Sequence, residues 1–100
     1  MNLGNAIRMC RVRRELTQKE LALRAQISVS YLSLIEKDKR DVSVSTLRRL
    51  ADGLAVPVGI LFFLAADKRE LSGLSEDLIG KLSQTALAFL HESEPTPSLV

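Results

Sequence analysis

The chain has 100 residues, 46% of them hydrophobic but only 4% aromatic, with a net charge of +2 and one cysteine. This fits one small domain with an aliphatic core; the lone Cys10 excludes an intrachain disulfide and suits a reducing compartment. The near-neutral total hides an asymmetry: residues 1–50 hold eleven Lys/Arg against five acids, net +6, and residues 51–100 hold three against seven, net −4. A basic front half suits a polyanion or simply a solvated surface.

Few Gly and Pro interrupt the chain, which favours helices over a sandwich or barrel. A first helix is expected over Leu3 to Arg14, with Leu3, Ile7 and Cys10 on one apolar stripe. A second opens at Thr17, where Thr17-Gln18-Lys19-Glu20 fits a capping box, and ends near Ala25-Gln26; Leu21, Ala22 and Ala25 face inward. Ser28 caps a third helix running to about Lys37, with Leu32 and Ile35 inward. Val29, Ser30, Ser33, Leu34 and Lys37 occupy its other face. After a charged loop, Asp38 to Val42, a fourth helix follows Ser43 with Leu47, Leu50, Ala51 and Leu54 at helical spacing. Pro57 suits the first position of a fifth helix, which buries some of Ile60, Leu61, Phe63 and Leu64. The run Leu54 to Ala66 is 13 residues long, short of the ~20 needed to span a bilayer, so it reads as a buried helix and no membrane association is expected. A break around Asp67 to Gly73 precedes a sixth helix starting near Ser75, whose broad apolar face is Leu78, Ile79, Leu82, Ala86, Phe89 and Leu90. Three units result: residues 1–66, a helical extension 67–91, and a tail 92–100 with Pro95 and Pro97 that is expected to be disordered.

About three residues, Gln26 to Ser28, separate the second and third helices. So short a link forbids antiparallel packing and suits a crossing near ~90–120°, the helix-turn-helix arrangement. One helix can then protrude while the other braces it, and a major groove about 12 Å wide admits one helix. The stretch Leu16-Thr17-Gln18, Glu20-Leu21-Ala22, Ala25, Ile27-Ser28, Leu32-Ser33, Ile35-Glu36 and Lys39-Arg40 resembles the Cro/cI-type, lambda repressor-like helix-turn-helix regulators. Thr46-Leu47, Leu50-Ala51, Leu54 and Val56-Pro57 extend the likeness, which covers about residues 3 to 64. It implies an all-α fold: a five-helix DNA-binding domain with an added C-terminal amphipathic helix.

The resemblance also implies roles. Gln18 would hold a phosphate with nearby free amides. Val29, Ser30 and Ser33 would face bases, with Ser28 at the start of that helix and Leu34 and Lys37 beside them. Lys39 and Arg40 would meet phosphates. Arg11 and Glu36 stand where some phage repressors place a partly buried ion pair. Glu15, Gln26 and Asp38 stand where the family often has Gly. Val and Leu cannot bond bidentately to a base, so preference is expected to lean on thymine methyls and DNA shape. Arg13 and Arg14 are candidates for phosphate proximity or plain solvated charge.

The function expected is a cytoplasmic, sequence-specific regulator of transcription, a repressor binding a palindromic operator in double-stranded DNA as a homodimer. Phe62, Phe63, Leu78, Leu82 and Phe89 are the expected dimerisation residues, because both phenylalanines cannot point inward and the last apolar face is wide. An alternative is an antitoxin-like regulator whose C-terminal helix binds a protein partner. RNA binding lacks an aromatic stacking platform. No catalytic constellation, metal spacing or cofactor motif emerges: Cys10 reads as a small core residue, His91 as a lone histidine, Glu20 as a cap. Regulation would then act through concentration, degradation or a partner.

Overall fold

Helices alone make up the regular structure of the described residues, 1–91, in the computed structural model. They are α1 (Leu3–Arg13), α2 (Gln18–Ala25), α3 (Val29–Glu36), α4 (Val44–Leu54), α5 (Val58–Ala65) and α6 (Glu76–His91). The segment 92–100, expected to be disordered, lies outside the described residues. Each start has a local cause. Asn2, Thr17, Ser28 and Ser43 accept, through side-chain oxygens, the backbone N–H three residues on, which satisfies a donor the helix leaves unpaired. At α2 the box closes in both directions: the Glu20 amide donates to Thr17 Oγ1 at 3.0 Å, and the Thr17 amide donates to Glu20 Oε1 at 2.9 Å.

Several boundaries move by one residue. The first helix stops at Arg13, with Arg14 as its C-cap, and the third stops at Glu36, with Lys37 as its C-cap. Pro57 is the N-cap of α5 rather than its first residue: its ψ of 143 is extended, and its carbonyl accepts from Ile60.

The ends of α1 to α4 share one device. Glu15, Gln26, Asp38 and Ala55 have φ of 57, 59, 59 and 56. The residue after each sends its amide back five positions: Leu16 to Arg11, Ile27 to Ala22, Lys39 to Leu34 and Val56 to Ala51. This is the Schellman closure, usually built on Gly. Gln26 therefore takes the left-handed conformation and the turn stays regular, at roughly 1 kcal/mol of strain for each non-Gly residue so placed. Ala55 joins the set without a sequence hint. After three of these turns the next residue, Leu16, Ile27 or Val56, packs in or against the core. After the fourth it is Lys39, which is exposed.

The core is aliphatic, as composition requires: Ile7, Leu21, Leu32, Ile35, Leu47, Leu50, Leu54 and Leu61 are almost fully buried. In the main packing pairs α2 lies on α4 and α1 on α5, while α1 and α2 both brace α3. Gly4 lets α1 approach the end of α3, since a Cβ there would fall 2.2 Å from the Ile35 carbonyl oxygen. Two arginines hold the C-terminal end of α4. Arg14 donates to the Leu54 and Ala55 carbonyls at 2.9 Å each, and Arg24 to the Gly53 carbonyl at 3.0 Å. The cations thus sit at the negative end of the helix dipole. Arg14, a candidate for phosphate proximity or plain solvated charge, is thus engaged by protein carbonyls. Met1 and Asn2 tie back to the other end of the domain: the Asn2 amide donates to the Ala65 carbonyl, and the terminal ammonium pairs with Glu70 at 3.0 Å.

Helix α6 is seated on α1 and α5 by one edge. Ala86 and Leu90 are buried, and Phe89 packs against the core. Ile79 and Leu82 are half-buried, and Leu74, Leu78 and Leu87 are exposed. No described helix is long and apolar enough to cross a membrane.

Candidate nucleic-acid interface

Helix α3 is placed by three anchors. Ser28 fixes its first turn by accepting from the Tyr31 amide at 3.0 Å. Leu32 and Ile35 are buried in the core. Glu36, its last residue, is drawn inward by charge: its side chain is only 3% exposed and receives Arg11 Nε at 2.8 Å and Arg11 Nη2 at 3.0 Å. Such a two-pronged pair is the strong form of a charge-assisted hydrogen bond. The third guanidinium nitrogen of Arg11 donates to the Leu16 carbonyl at 2.9 Å. The ion pair implied by the resemblance is therefore present, and it also carries the turn after α1.

Gln18 joins this network. Its Nε2 donates to Glu36 Oε1 at 3.1 Å, and the residue is half-buried. The side chain is thus held by protein rather than projecting freely. One N–H of the amide is used, and the group carries a second. The carboxylate of Glu36 thereby ties α1, α2 and α3 together.

With these anchors inward, the other side of α3 is open. At about 100° per residue, Val29, Ser33, Lys37, Ser30 and Leu34 fall in that order around roughly 140° of the helix. Val29 is 41% exposed and Leu34 37%; Ser30 and Lys37 are exposed, and Ser33 is half-buried. None belongs to the hydrophobic core. Ser28 stands at the head of this face, its oxygen occupied as a cap and its O–H free to donate. The loop after α3 presents Lys39 and Arg40, both exposed, and is braced where the Tyr31 hydroxyl reaches the Asp41 carbonyl at 3.4 Å. Five of the expected residues therefore share one helix face, with Ser28 capping its start and two cations after its end. Phe62, Phe63, Leu78, Leu82 and Phe89 lie apart in sequence, on α5 and α6. Phe62 is 39% exposed and Leu78 41%, while Phe63, Leu82 and Phe89 are half-buried.

Two supports escaped the sequence reading, Arg14 and Arg24 on the end of α4. Their partners lie 40 to 41 and 29 residues away in the chain, and no local pattern encodes such a contact. Burial pushes the Cys10 thiol up to about 11, against the opposing pull of Arg14, so it stays protonated near neutral pH. Among the described residues no cluster of His, Cys, Asp and Glu could hold a metal ion.

A short helix braced from behind by two others, bare along its outer side and followed by a cationic loop, defines a helix-turn-helix DNA-binding regulator. The helix-turn-helix family model matches residues 7–61. The immunity repressor protein of Bacillus phage phi105 is 41% identical over 98 residues, covering 94% of this chain and 68% of the repressor. The crystal structure of the clp gene regulator ClgR from Corynebacterium glutamicum superposes with a TM-score of 0.66 at 31% identity, covering 84% of this chain and 89% of that one. The chain belongs to the helix-turn-helix family, a family of DNA-binding regulators rather than enzymes.

Proposed function

We propose that the chain is a transcriptional repressor that binds a palindromic operator as a homodimer. The observation that carries this reading is the outer side of α3, where Val29, Ser30, Leu34 and Lys37 are exposed and Ser33 half-exposed, and none serves the core. In this reading Ser28, Val29, Ser30, Ser33 and Leu34 face base edges in the major groove. Lys37, Lys39 and Arg40 meet phosphates, and Gln18 offers a phosphate the amide hydrogen that Glu36 leaves free. Repression is supported by the likeness to a phage immunity repressor. Dimerisation through Phe62, Phe63, Leu78, Leu82 and Phe89 is supported by the exposure of Phe62 and Leu78 on α5 and α6. A two-fold dimer in turn requires two half-sites in inverted orientation.

The test is selection of binding sites from random duplexes, with the molar mass of the complex measured on the selected site. An inverted repeat occupied by two chains is the expected outcome. A monomeric mass at saturation would overturn the dimer. Ser33→Arg should shift the selected sequence, because a long bidentate donor then enters the groove; an unchanged profile would remove α3 from the groove.

A further inference from the structure

The outer side of α3 is short of the groups that usually name a base. It has no Arg, Asn or Gln, the side chains that grip a purine edge by two hydrogen bonds. Its one long donor, Lys37, is the C-cap, beyond the last helical residue. Ser30 and Ser33 carry hydroxyls that satisfy almost any base edge. What remains is apolar. Val29 and Leu34 bound the exposed arc on its two sides, at 41% and 37% exposure. They are five residues apart, about 7.5 Å along the helix axis and roughly 140° apart around it, so they meet different base pairs. The C5-methyl of thymine is the apolar group that a base pair displays in the major groove.

Resting on the groove assignment made above, we propose that this protein recognises its operator chiefly by pyrimidine C5-methyl groups, one beneath Val29 and one beneath Leu34. The ligand class is duplex DNA carrying two such methyls at different base pairs in each half-site. Thymine supplies them, and so does 5-methylcytosine, whose methyl occupies the same place in the groove. Discrimination then comes from removing apolar area from water, about fourfold in affinity for each methyl buried.

The experiment uses the full chain and the selected duplex, with each thymine replaced singly by deoxyuridine, which deletes the methyl and keeps every hydrogen-bonding group. Two positions per half-site should each lose about fourfold in affinity, and the others should stay within twofold. Val29→Ala should abolish the response at one of these positions and Leu34→Ala at the other; both are outside the core, so folding persists. At the same positions 5-methylcytosine should bind about fourfold tighter than cytosine. The proposal falls if no uracil substitution exceeds twofold, or if the response survives in the double alanine variant. If Ser33→Arg redirects selection while uracil is tolerated everywhere, only the methyl readout is lost. If no sequence is selected at all, the groove assignment goes with it.

Discussion

At Glu36 one carboxylate accepts from Arg11 and Gln18 and joins three helices at a point where water hardly reaches. Removing one partner leaves the other charge buried and unbalanced. Arg11→Met should therefore lower unfolding free energy by about 3–5 kcal/mol, measured by urea denaturation. Pairing it with Glu36→Leu should recover most of that loss, because the apolar pair strands no charge. Ala55 presents the opposite case. An alanine held at φ 56 carries strain that glycine would not. Ala55→Gly should raise stability by about 1 kcal/mol, read from the same denaturation curve, in spite of the greater freedom glycine gives the unfolded chain.

Among the elements, α2 shows best how a helix is written into its sequence. Thr17 and Glu20 satisfy each other's amides across three residues, so the motif is visible in four letters. The hydrogen bond from the Thr17 amide, with the Thr17 side chain next, holds the Glu20 carboxyl below its ordinary value of 4.5. A carboxylate with a lowered value in the fold stabilises it fully above the ordinary value and loses that contribution as pH falls through the lower one. Glu20→Gln should accordingly flatten the acid limb of a stability-against-pH curve below about pH 4.5 while the fold stays helical by circular dichroism. The inward positions of α2, α3 and α4 were equally legible, because 3.6-residue spacing encodes a face. The left-handed turns were legible at Glu15, Gln26 and Asp38 through the family's glycines, and not at Ala55. The clasp of Arg14 and Arg24 on α4 was hidden, as was the bond from Gln18 to Glu36, because each depends on helices meeting in space.

For the whole molecule, the division of labour follows from what each helix buries. Helices α1 to α5 share a core, and α6 adds Ala86 and Leu90 to it while Leu78 stays 41% exposed. That exposure supports α6 as the place where two copies meet. Leu78→Glu should convert a dimeric mass to a monomeric one by light scattering and weaken operator binding, with the thermal midpoint little changed because Leu78 stands outside the core cluster. An unaltered mass would move the contact elsewhere.

The outer positions of α3 stand outside the core cluster, since Leu32, Ile35 and Glu36, with Tyr31 packed against the core and Ser28 as cap, moor that helix. Folding and address are consequently specified by different letters of the same eight-residue segment. A library randomised at 29, 30, 33, 34 and 37 should yield mostly foldable members, and new operator preferences could be drawn from it without repairing the scaffold.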